Sequence, residues 1–176
     1  MATAATIGAA NAVSVTLTGI ANTSVGLVTA GTSATLLSGN AYFYSTAVDL
    51  TVAQVAGITT RAAFEALIGA DPGAVRGPVA FTAGAFTSSA ATEMGAVGNN
   101  TYLFLESAGG FGIFQGPTVP SLGAVTMNPA NMIEDLKGTS TLTNVSGTNS
   151  GFQLVPEPSI ALLGALGVFG LIRRRR

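Results

Sequence analysis

The chain has 176 residues, of which 48% are hydrophobic and only 9% charged, with no histidine, no cysteine and a formal net charge of −1. That length suggests one domain with appendages. The missing residue types exclude His-based acid–base catalysis, Ser-His-Asp triads, thiol chemistry, disulfide frameworks and His or Cys metal sites. Residues 1–155 carry three basic groups against seven acidic ones, a balance with no electrostatic footprint for nucleic acid.

Residues 1–12 are Ala-rich and contain no Lys or Arg, the first basic residue being Arg61. The positive start of a secretory signal is therefore missing, although Ala10-Asn11-Ala12 fits a small-x-small cleavage site. Two readings stand: the remnant of a longer secretory signal peptide, or a plain leader to the first strand. From Val13 onward the pattern is β. Val13, Val15 and Leu17 alternate with Ser14, Thr16 and Thr18, the period-2 signature of a half-buried strand. Val25–Val28 and Ala34–Leu37 repeat it, broken by Gly31-Thr32 and Gly39-Asn40. "NAYFYSTAVDLTV" is rich in aromatic and β-branched residues and reads as a further strand.

"TTRAAFEALIGAD" departs from that pattern. It sets Ala63, Phe64, Leu67 and Ile68 on one helical face and stops at Gly69. "GPVAFTAGAF" returns to strand. "NNTYLFLES" and "GGFGIFQG" flank a Gly109-Gly110 turn and predict a hairpin, with Tyr102, Phe104, Phe111 and Ile113 as packing positions. "NPANMIEDLKG" predicts a second short helix, with Asn128 as cap, Pro129 at the first helical position and Gly138 past the end. "GTSTLTNVSG" and "SGFQLV" close the body as strands. The expected fold for residues 13–154 is mainly β: a small antiparallel sandwich or curled sheet with one or two short helices and a Thr/Ser/Asn-rich surface.

Chemistry-bearing motifs are sparse in this body. "GGFG" lacks the dinucleotide fingerprint, and no phosphate-binding loop occurs. Nothing in the pattern requires a cofactor or metal. Glu134-Asp135 reads as helix-surface charge, because adjacent helical residues do not face each other. Asp49, Glu93 and Glu106 are the acidic groups from which a carboxylate hydrolase would be built. Tyr42, Tyr44 and Tyr102 are the rings from which a sugar-binding platform would be built. Asn22-Thr23-Ser24, Asn99-Asn100-Thr101 and Asn144-Val145-Ser146 match the N-glycosylation acceptor pattern.

The most specific signal is "LVPEPSIALLGALGVFGLIRRRR". Val155-Pro156-Glu157-Pro158 is extended, because proline fixes its own φ and pushes the preceding residue toward β or polyproline II. Ser159 can cap a helix. The stretch from Ile160 to Ile172 is wholly apolar, its strongest members being Ile160, Leu162, Leu163, Leu166, Val168, Phe169, Leu171 and Ile172. With Ser159 it makes about 21 Å of helix, against a hydrocarbon core of about 30 Å. Those side chains favour insertion by roughly 2.5–5 kcal/mol together. The segment is thus a short, separate hydrophobic helix, marginal as a span. Arg173, Arg174, Arg175 and Arg176 follow it directly. Basic residues flanking a span stay cytoplasmic, so the body is expected outside and the arginines inside.

Pro156-Glu157-Pro158, the apolar run and the four arginines together resemble the PEP-CTERM sorting signal of bacterial exosortase substrates, over residues 155–176. The resemblance implies an exported precursor held transiently in the inner membrane. It implies a membrane-embedded, cysteine transpeptidase-like exosortase as partner, cutting near Pro156-Glu157-Pro158. It also implies release to the cell surface or an extracellular polymer matrix. The body is then expected to be a non-catalytic surface or matrix protein in contact with extracellular polysaccharide. A carbohydrate-binding module and a small carboxylate hydrolase are the lesser readings.

Overall fold

A computed structural model describes residues 13–16, 24–28, 34–69, 76–83, 85–86, 91–108, 110–121, 125–127, 129–143 and 150–156. The leader at 1–12, Glu157, Pro158, Ile160–Ile172, Arg173–Arg176 and the acceptor asparagines Asn22 and Asn144 lie outside them.

The fold is mainly β. Its strands are β1 (Val13–Thr16), β2 (Ser24–Val28), β3 (Ala34–Leu36), β4 (Gly39–Thr46), β5 (Arg76–Thr82), β6 (Ala85–Phe86), β7 (Ala91–Met94) and β8 (Asn100–Ser107). They continue as β9 (Gly110–Gly116), β10 (Val125–Thr126), β11 (Glu134–Lys137), β12 (Thr139–Thr143), β13 (Ser150–Gln153) and β14 (Val155–Pro156). Two helices, α1 (Val52–Val55) and α2 (Arg61–Ile68), fall between β4 and β5. The main sheet is antiparallel throughout and runs β11-β9-β8-β4-β5-β6, with β14 also paired to β9. A second sheet runs β12-β13-β2-β3 and a third β10-β1-β7.

The centre of the main sheet is buried on both faces, and side-chain alternation divides the core in two. Tyr44, Tyr102, Phe104, Phe111 and Ile113 point to the face covered by Leu50, Val55, Ile58, Phe64 and Ile68 of the helical segment. Ala41, Phe43, Leu103, Leu105 and Phe114 point the other way, toward Phe152 of β13 and Leu154, which follows that strand. All four expected hairpin positions, Tyr102, Phe104, Phe111 and Ile113, are buried. β8 and β9 form that hairpin, in continuous register from Thr101 opposite Gly116 to Ser107 opposite Gly110. Phe64 is the hub of the helix-side core. Its ring lies 5.2 Å from Tyr44, 6.0 Å from Tyr102 and 5.6 Å from Phe104, so α2 is held by aromatic packing rather than by helix propensity.

The predicted helix over residues 61–68 is present. The Thr60 hydroxyl accepts from the Ala63 N–H, and Gly69 ends the helix with φ +102°. Three expectations are corrected. The predicted helix over "NPANMIEDLKG" is one 3-10 turn at Pro129–Asn131, followed by strand β11. Pairing with the β9 edge overrides local preference: the Ile133 N–H donates to the Gln115 carbonyl, and Glu134 and Asp135 pair with Gln115 and Phe114. Glu134-Asp135 is therefore strand charge, not helix charge. The strand read through "AVDLTV" stops at Thr46, whose hydroxyl accepts from the Val48 N–H. Val52 instead opens α1, where the Thr51 N–H donates to the Gln54 side chain. Finally, the sheets are not all antiparallel. β13 runs parallel to β2, and β1 parallel to β10, so strands from early and late in the chain lie side by side.

Candidate functional site

Pro156, the first residue of the expected Pro156-Glu157-Pro158 motif, is also the final residue of β14. Val155 stands opposite Phe111 and Pro156 opposite Gly110. β8 already pairs with β9 along its whole length, so β14 occupies the other edge of β9, beyond the stretch from Ile113 to Gln115 taken by β11. Leu154, just before β14, is only 1% exposed. Its side chain fills the space that a Cβ on Gly112 would approach to 3.0 Å. Of the expected processing residues, Pro156 is thus placed at the Gly110 end of the main sheet. Glu157, Pro158, the span residues and the arginines lie outside the described residues. Among the described residues no helix is long and apolar enough to cross a membrane.

A pocket of about 220 Å³ opens at the same end of the sheet, between the start of α2 and the β8–β9 hairpin. Thr59, Thr60, Arg61 and Ala62 line one side, and Phe104, Glu106 and Phe111 the other. Arg61 organises it. Its guanidinium donates to Glu65 at 2.8 Å, lies 3.6 Å from the Glu106 carboxylate and stacks 4.2 Å over the Tyr42 ring. The Tyr44 hydroxyl donates to the same Glu65 oxygen at 2.8 Å. Burial, reinforced by that bond, pushes the Tyr44 hydroxyl well above the usual tyrosine range. Lys137 closes the neighbouring corner. Its ammonium lies 4.7 Å from the Phe111 ring centroid and donates to the carbonyls of Ile58 and of Ala56, which follows α1. Burial lowers the Lys137 pKa. The polar groups here pair mainly with one another, which fixes the helical segment to the sheet.

Sequence reading did not single out this corner. The Arg61–Glu65 spacing of i,i+4 was its one local signal, and nothing local points from Arg61 to Glu106 on β8.

The other candidate groups do not assemble. Asp49 accepts from Gln115, which stands opposite Tyr102, whereas Glu106 lies four residues further along β8, roughly 13 Å of strand away. Glu93 belongs to β7 in a different sheet. Opposed glycosidase carboxylates sit about 5–9.5 Å apart, and Asp49 and Glu106 are not gathered in that way. The tyrosine platform is not formed either. Tyr44 and Tyr102 are both fully buried, and only Tyr42 reaches the surface, beneath Arg61. The Tyr102 hydroxyl is structural: it accepts from the Leu50 N–H at 3.0 Å and donates to the Val48 carbonyl at 2.9 Å. Burial pushes its pKa up to about 12. In the Asn99 acceptor triplet, the Thr101 hydroxyl is buried and donates to the Pro117 carbonyl at 2.6 Å. Among the described residues no three acidic side chains come together as a metal site.

No family model, no curated protein and no solved structure matches this chain.

Proposed function

We propose that this is an exported, non-catalytic surface or extracellular-matrix protein, a β-sandwich body carrying a C-terminal sorting signal that an exosortase processes. The observation that carries the reading is the order of parts: extended Pro156-Glu157-Pro158, the apolar run Ile160–Ile172, then Arg173–Arg176. Each part has a physical role in it. The short helix holds the precursor in the inner membrane by a few kcal/mol, enough for a transient handle. The arginines stop translocation and keep their end cytoplasmic. The prolines keep the backbone extended, the conformation a proteolytic or transpeptidase cleft engages. The placement of Pro156 at the end of β14 is compatible with this division between a folded body and a signal beyond it.

The body would then act through its surface, in contact with extracellular polysaccharide. The surface reading is favoured over a tyrosine sugar platform because Tyr44 and Tyr102 are buried, and over a hydrolase built on Asp49 and Glu106 because those two carboxylates stand apart.

Fractionation of matched hosts tests the proposal. In a host with an exosortase the protein should appear in the surface or extracellular fraction. Without that enzyme, or with Pro156, Glu157 and Pro158 all replaced by alanine, it should stay with the membrane. Equal release in all three cases rejects the proposal.

A further inference from the structure

The start of the processing motif is built into the folded body. Phe152 and Leu154 are core residues, 0% and 1% exposed, and the next two residues form β14 against Phe111 and Gly110. The chain is therefore held up to and including Pro156. An enzyme that takes its substrate in an extended cleft needs backbone that is not already paired in a sheet. Paired backbone becomes available only through local opening.

Resting on the sorting-signal reading, we infer that the folded body sets the N-terminal limit of processing: the bond broken lies no earlier than Pro156–Glu157, and the mature protein keeps Val155–Pro156 as its last strand. In that step the carbonyl carbon before the cut forms a bond to the oxygen of water or the nitrogen of an acceptor amine. The amide C–N bond breaks, and the proton given up by the nucleophile passes to the leaving nitrogen.

The fate of the edge supports the same limit. β11 and β14 share the outer edge of β9, and a cut before Val155 would leave the Gly110–Phe111 stretch of that edge uncovered. An open edge is a template for pairing with other chains. Reach supports it as well. Pro156 and Ile160 are four Cα steps apart, at most about 14 Å. A body closed by β14 is therefore carried directly at the membrane surface, where a membrane-embedded enzyme meets the residues after Pro156 first.

The test has two arms, each read by C-terminal peptide mapping. In the first, full-length precursor from a host without exosortase is held in detergent and treated with a broad-specificity protease. Trimming should stop at Pro156 or later, and trimming to Leu154 or further overturns the inference. In the second, protein released by a host with exosortase should end at Pro156, Glu157, Pro158 or Ser159. A released form ending before Pro156 overturns the inference while leaving the sorting signal intact. A released form that retains Ile160–Arg176 overturns the sorting signal itself and this inference with it.

Discussion

Phe114 of β9 and Phe152 of β13 meet between the main and second sheets, with ring centroids 4.7 Å apart. Both are fully buried. This contact ties a strand near the centre of the chain to one near its end, and it is the closest aromatic pair described in the body. Phe152→Ala should cost about 3–5 kcal/mol through lost burial and the cavity left behind. Urea unfolding followed by circular dichroism measures it. A loss below about 1 kcal/mol would mean that the second sheet is not packed on the first.

Gly138 lies where the chain leaves β11 in the main sheet and enters β12 in the second. Its φ is +107°, and a Cβ there would come 2.5 Å from the Gln153 carbonyl oxygen. Gly138→Ala should therefore destabilise the body by roughly 3 kcal/mol, from backbone strain and overpacking together. Gly57, around which there is open space, is the control, and Gly57→Ala should change stability little. Equal unfolding midpoints for the two variants would contradict the corner described here.

Alkaline pH should destabilise the body through its buried tyrosines. Both Tyr44 and Tyr102 have folded-state pKa values raised above the unfolded value of about 10, with Tyr102 pushed up to about 12. The unfolded chain thus loses these protons first. The stabilisation they provide is complete below pH about 10 and is lost as pH rises, for Tyr102 through about 12 and for Tyr44 over a window that extends further. Over those windows stability should fall by about 1.4 kcal/mol per pH unit for each tyrosine. Tyr102→Phe should remove one share of the slope, while costing about 1–3 kcal/mol at neutral pH because the Leu50 N–H loses its acceptor. Unfolding midpoints at pH 8, 10 and 11 read both effects, and a flat profile above pH 10 would contradict them.

The proposed topology, with the body outside and Arg173–Arg176 in the cytoplasm, rests on charge placement. A reporter fused after Arg176 and active only in the cytoplasm should be active, because four arginines beside the proposed short span would be costly to translocate. Activity restricted to a periplasm-dependent reporter at the same position would reverse the assignment.

Parts of this architecture were legible in the sequence because they are local. The β8–β9 hairpin shows as two aromatic runs around Gly109-Gly110, and α2 as one apolar face ended by Gly69. β11 was not legible, since its Glu-Asp-Leu-Lys sequence follows a good helix start and becomes a strand only through the open edge of β9. The parallel pairings of β1 with β10 and β2 with β13 join distant segments, and no local pattern encodes them. The two-sided burial of β4, β8 and β9 hid which residues faced which layer, because both alternating sets are apolar. At the candidate site, the prolines made the extended backbone of Val155–Pro156 legible. Its pairing with Gly110 and Phe111, and the Arg61–Glu106 corner beside it, depend on tertiary contacts alone.

The central claim is that the C-terminal segment is a handle that is removed. Intact-mass analysis of the protein released by an exosortase-bearing host, set beside the membrane-bound precursor from a host lacking the enzyme, tests it most directly. The account predicts that the released form has lost the whole of Ile160–Arg176, while the precursor retains it. A released form whose mass still includes Ile160–Arg176 would contradict the account and make that segment a permanent part of the protein.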